Sequence, residues 1–83
     1  MQRLTLDVQT FARNFESYLE NPIEGGVDLT MRIEDLPSWT SLQALLVVVG
    51  LERDYQVIVS EEEFKKAHTV QDLYRIVTQR MAE

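Results

Sequence analysis

Residues 36–50, LPSWTSLQALLVVVG, decide how this 83-residue chain is read. Thr40 precedes an apolar run and has Gln43 three positions on. That is the capping-box spacing, in which two orphan amide donors at a helix start find side-chain partners. Losing such a cap costs ~1 kcal/mol. No charged residue follows until Glu52. At 3.6 residues per turn the apolar residues fall into two stripes. Ala44, Val47, Val48 and Leu51, continued by Tyr55, form one; Leu42, Leu45, Leu46 and Val49 form the other. A helix apolar on both sides is either central to a core or carries a second face for another purpose. In a small bundle full enclosure is difficult, so one stripe is expected to stay at least partly exposed. Either the long loop covers it or it is a partner surface.

Working outward, Val8, Phe11, Ala12, Phe15, Tyr18 and Leu19 recur at three- and four-residue steps. They predict a first amphipathic helix from Thr5 to about Leu19. The run ENPIEGG stops it, because Pro22 disfavours helix at Asn21 and Gly25-Gly26 free the backbone. Residues 21–39 show no sustained period, yet Ile23, Val27, Leu29, Met31, Ile33 and Leu36 keep returning. Such a length predicts an ordered excursion across the bundle, pinned by its own apolar anchors.

The second helix is expected to run from Thr40-Ser41 to about Asp54, with residues 55–59 as a short extended connector. Ser60-Glu61-Glu62-Glu63 reads as a capping box opening a short third helix, its carboxylates at the positive end of the dipole. Thr69-Val70-Gln71-Asp72 repeats the pattern and opens a last helix with Val70, Leu73, Ile76, Val77 and Met81 as its inner stripe. The expected fold is all-α: one domain over residues 1–83, a small four-helix bundle with one short helix and a long ordered loop after the first. A domain of this size buries only about 60–65% of its unfolded surface, so its stability margin is thin.

Composition narrows the function classes. The chain has no cysteine, which excludes a disulfide scaffold, a thiolate metal site and a cysteine nucleophile. Its net charge of −6, with eight scattered Lys and Arg, argues against nucleic acid. No apolar run has signal-peptide or membrane-span length, so a cytoplasmic monomer is expected. Catalysis is poorly provided for. The one histidine, His68, has no paired nucleophile and reads as a surface linker residue rather than a general base. Three consecutive glutamates point in different directions on a helix and read as a solvated cap rather than a metal site. No glycine-rich phosphate loop follows a strand. The chain alone is not expected to be an enzyme.

Leu36 to Val77 resembles the acyl carrier protein family, the phosphopantetheine-attachment domains. That family typically shows a Trp or Gly then Asp-Ser-Leu, a helix ending in LE-x-x-[FY]-x-[VI]-x-[VIL], an acidic turn, and T-[VI]-x-[DE]-L opening the last helix. Here these positions read Trp39-Thr40-Ser41-Leu42, Leu51 to Val59, Ser60 to Glu63, and Thr69 to Leu73. The resemblance implies 4′-phosphopantetheine carried covalently on the Ser41 hydroxyl and added by a phosphopantetheinyl transferase. Acyl groups would ride on its thiol as thioesters and be presented to acyl-transferring or acyl-modifying enzymes of biosynthesis. It further implies docking through the second helix at Leu42, Leu45, Leu46, Val49, Glu52 and Arg53. The alternative is a carrier-like interaction module that has lost the group.

The chain departs from the family pattern at Thr40, where the charge before the serine is gone. It departs again at Gln43 and Leu46 on the face expected to be exposed, and at Arg53, where a second acid is common. Partners that rely on apolar contact more than on acid-to-base docking are therefore expected. Trp39 is expected to anchor the loop against the bundle, and its truncation to Ala to cost ~3 kcal/mol or more.

Overall fold

Tyr18, in the last turn of the first helix, lies flat against Gly50 of the second. A Cβ added to Gly50 would stand 2.4 Å from the Tyr18 ring. Only glycine permits this approach, and it fixes how the first two helices meet. The computed structural model describes residues 7–21, 23–37 and 39–82. Among them are four α-helices and no strand: α1 (Val8–Tyr18), α2 (Ser41–Tyr55), α3 (Glu61–Lys66) and α4 (Val70–Met81), with a single 3-10 turn at Ile33–Asp35. The all-α expectation holds at this level.

α1 begins at Val8 because Asp7 is its N-cap; the Thr10 amide donates to the Asp7 carboxylate at 3.0 Å. The expected start at Thr5 lies outside the described residues. α1 ends at Tyr18, one residue short of Leu19, and Phe11, Phe15 and Tyr18 form its buried stripe. α2 extends one residue beyond the expected Asp54, to Tyr55, and stops where Gln56 adopts a left-handed conformation with φ of 56°. Of the connector expected over residues 55–59, Tyr55 belongs to α2, Gln56 is left-handed, and residues 57–59 lie outside any helix. Their alternation buries Val57 and Val59 and leaves Ile58 exposed.

Two inward residues of α2 depart from the expected stripes. Gly50 is buried beneath Tyr18, and Gln43, expected on the exposed face, is buried instead. The close approach of α1 brings the Glu20 amide to the Gln43 side-chain oxygen at 3.1 Å. The Gln43 carbonyl therefore serves the end of α1 and not the cap of its own helix, and only the Thr40 half of the capping box forms.

The long excursion is tied down as expected, and by more than its apolar anchors. Ile33 and Leu36 are buried in the core, while Ile23, Val27, Leu29 and Met31 pack against it. The Val70 and Gln71 amides donate to the carbonyls of Met31 and Leu29 at 3.1 and 3.0 Å, and the Ile33 amide donates to the His68 carbonyl. The first-turn donors of α4, orphans in any helix, thus hold the loop. Thr69 and Asp72 complete a full capping box beside them.

α3 is anchored by its own box. The Ser60 hydroxyl accepts from the Glu63 amide, and Glu63 accepts in turn from the Ser60 amide. Glu63 also pairs with Arg80 of α4, whose guanidinium donates to the Ile58 carbonyl at 2.9 Å. In α4, Val70, Leu73 and Val77 are fully buried and Ile76 half-buried. Met81, expected on the inner stripe, is 39% exposed. It lies on the correct face but in the last turn, where less of the bundle is left to cover it.

Two outcomes follow. Gly→Ala inside a helix ordinarily stabilises by ~1 kcal/mol, but Gly50→Ala drives a methyl group into the Tyr18 ring. It is expected to destabilise by ~1–3 kcal/mol in a urea titration. The Thr69 and His68 amides hold the Asp72 carboxyl below its ordinary range. A depressed folded value means that this contribution is complete above the unfolded carboxylate range and is lost as pH falls through the folded value. Asp72→Asn should therefore cost ~0.5–1 kcal/mol near neutrality, and the difference from the parent should shrink as the pH falls below the ordinary carboxylate range.

Candidate functional site around Ser41

Ser41 is the first residue of α2 and is exposed. The preceding Thr40 is extended, and its hydroxyl accepts from the Gln43 amide at 3.3 Å. Among the described residues, the amides of Ser41 and Leu42 and the Ser41 hydroxyl have no hydrogen-bond partner. The contrast with α4 is plain, since there the loop carbonyls of residues 29 and 31 take up the equivalent amides. The start of α2 keeps two donors and the positive end of its dipole facing outward.

Two grooves meet at Ser41. One, of about 410 Å³, runs along the α2–α3 boundary past Ala44, Val48, Val59 and Phe64. The other, of about 350 Å³, passes Trp39, Thr40, Ile33 and Ala67. Ser41, Ala44, Phe64 and Lys65 belong to both. The Trp39 and Phe64 rings stack between the grooves, with centroids 6.2 Å apart and planes 7° apart. Trp39 is half-buried, and its amide donates to the Leu36 carbonyl. It joins the end of the excursion to α3, although less deeply than expected. Lys65 pairs with Glu61 one turn back, at 3.7 Å.

Beyond Ser41, α2 presents the second stripe outward. Leu42 is 50% exposed, Leu45 57% and Val49 50%, while Leu46 is half-buried. Loop 21–39 leaves these residues open. Glu52 and Arg53 are exposed at the end of the stripe, but they differ in availability. The Arg53 guanidinium lies over the Tyr18 ring, 5.8 Å from its centroid, and its Nε reaches Asp54 at 3.2 Å. The Tyr18 hydroxyl donates to the same carboxylate at 2.7 Å. Tyr18 and Arg53 together hold Asp54 below the usual carboxylate range, while burial first, and Asp54 second, push the Tyr18 phenol far up. Arg53 is therefore engaged within the domain, and Glu52 has no ion pair among the described residues.

His68 is exposed, and its backbone carries its contacts: the amide donates to Asp72 and the carbonyl accepts from Ile33. Among the described residues, no cluster of three or more His, Asp or Glu side chains could hold a metal ion, and no helix is long and apolar enough to cross a membrane. Sequence reasoning named Ser41 and the outer stripe but passed over Phe64 and Lys65 as the opposite wall. Phe64 carried a signal nonetheless, as the one large apolar residue in EEEFKK. Comparisons with protein-family models, curated proteins and solved structures returned no match.

The half-burial of Trp39 lowers the cost expected from the sequence. Trp39→Ala should destabilise by about 2 kcal/mol, from partial area loss plus the ring stack. Denaturant unfolding followed by circular dichroism measures it.

Proposed function

We propose that this chain is an acyl carrier of the phosphopantetheine-attachment type, bearing its prosthetic group on Ser41. The observation that carries the reading is the state of the Ser41 hydroxyl. It is exposed, without a hydrogen-bond partner among the described residues, beside two outward-facing amides and at the junction of two grooves. These residues suit a phosphodiester, which gains about 0.3–1 kcal/mol from a helix dipole before screening. When bound, 4′-phosphopantetheine supplies the thiol that the cysteine-free chain lacks. The chain's own part is to fix the attachment point, offer the anion two amides and present a docking face. No histidine or carboxylate hydrogen-bonds the Ser41 hydroxyl among the described residues. In this reading a phosphopantetheinyl transferase and acyl-transferring or acyl-modifying enzymes do the chemistry.

Leu42, Leu45 and Val49, with Leu46 at their edge, form the docking strip in this reading. Glu52 supplies an unpaired charge at the end of the strip among the described residues, because Arg53 is turned back onto Tyr18 and Asp54. Such a strip suits a partner that offers an apolar surface and few charges, so the salt dependence of docking is weak. The lost-group reading draws on Thr40, which keeps the cap and removes the carboxylate from beside the serine.

One experiment separates the two. The protein is co-expressed with a broad-specificity phosphopantetheinyl transferase and its intact mass is measured. The carrier reading expects a single phosphopantetheine adduct that disappears in Ser41→Ala. An unmodified chain, or an adduct that persists in the variant, overturns it.

A further inference from the structure

α3 is fastened to α4 by charge and to α2 by none. Its Glu63 pairs with Arg80 of α4. Among the described residues no hydrogen bond and no ion pair joins α3 to α2, and α3 buries none of its own side chains. What meets at the start of α2 is the apolar lining of the two grooves and the stack of Phe64 on Trp39. The boundary has a place for a polar link and lacks one.

Lys65 stands at that place. It lines both grooves together with Ser41, and among the described residues lining them it is the one cation, beside the acids Glu61 and Glu34. Its pair with Glu61 spans 3.7 Å between side chains that are 75% and 85% exposed. A surface pair of this kind is weak and easily shared. The ammonium has three donors, so it can hold Glu61 and a second anion together. Threonine at position 40 leaves no acid next to Ser41 in the chain to compete for it. Lys66, the neighbouring cation on α3, lines neither groove.

We propose that Lys65 is the counter-charge for an anion carried on Ser41, and that the pair so formed ties α3 to the start of α2. Without the anion, the α2–α3 groove holds one acid and one base and is balanced. With it, Glu61 and the carried group are two negative charges served by a single ammonium. The link exists only in the loaded chain, so loading at Ser41 is registered as a stiffer α3. The identity of the anion, a phosphodiester, rests on the carrier reading; the pairing itself is a property of Lys65 and position 41.

The chain has no cysteine, so Ser41→Cys supplies a single thiol. Iodoacetate converts it to a carboxymethyl anion, and iodoacetamide to the neutral amide of nearly the same shape. With carboxyl-labelled iodoacetate, the titration of the attached group is followed by NMR. Its pKa is expected to lie about 0.2–0.7 pH unit lower with Lys65 present than in Lys65→Gln. Lys65→Arg should keep the lower value, and Lys66→Gln should leave it unmoved. Amide hydrogen exchange at residues 64–66 should be about two- to five-fold slower in the anionic adduct than in the neutral one, and equal in the two adducts of Lys65→Gln. The dipole of α2 acts alike with and without Lys65 and drops out of the comparison. A pKa indifferent to Lys65→Gln, or moved as much by Lys66→Gln, overturns the proposal, as do equal exchange rates in the two adducts when Lys65 is present. Alkylation needs no modifying enzyme, so this outcome is separate from the intact-mass result on unsubstituted Ser41.

Discussion

The contact between the Tyr18 ring and Gly50 governs the arrangement of α2, and through α2 the outer surface. With no Cβ at Gly50, α1 approaches so closely that the ring rests on the α2 backbone. The phenol is then fixed from its far end by Asp54, and Asn14 donates to the Tyr55 hydroxyl at 2.6 Å one turn of α1 earlier. These links determine the rotation of α2 about its axis. Gln43, Val47, Gly50 and Leu51 must face inward, and Leu42, Leu45 and Val49 are left outside. A helix this apolar has a weak facial preference of its own. Its orientation comes from one glycine and two tyrosines.

A second constraint works at the opposite end of the bundle. The amides that open α4 need acceptors, and the excursion after α1 supplies them from Leu29 and Met31. The loop is thereby part of the helix cap, which explains how the described residues of segment 21–39, without a sustained period, are held against the bundle. Held in this way, the excursion delivers Trp39 to Phe64 and Thr40 to the start of α2.

What the sequence made legible follows from what local physics determines. The caps at Thr40, Ser60 and Thr69 were readable because a hydroxyl three residues before an amide is a local arrangement. The buried stripes of α1 and α4 were readable from their period, apart from Met81, whose exposure depends on where neighbouring elements end. Gln43 was misread because the acceptor it provides serves an amide 23 residues away, and no pattern within α2 records that need. Gly50 did carry a signal, since a glycine inside an apolar helix marks a close approach; its partner Tyr18 became visible only in three dimensions. At the site, Ser41 and the outer stripe were legible. The opposite wall was not, because α3 buries no residue and its six residues carry little periodic information.

That poverty of burial bears on how the groove holds its shape. A helix as short as α3 does not persist by propensity. It is clamped at its start by the Ser60–Glu63 box and, through Glu63, by Arg80 near the end of α4. The same guanidinium grips the Ile58 carbonyl on the connector that leads into α3. The wall facing Ser41 is thus hung from a side chain almost forty positions downstream. Trimming the chain ahead of Arg80 would leave every fully buried side chain in place and still unhook that wall, so the shortest unit that keeps the core is smaller than the shortest unit that keeps the groove.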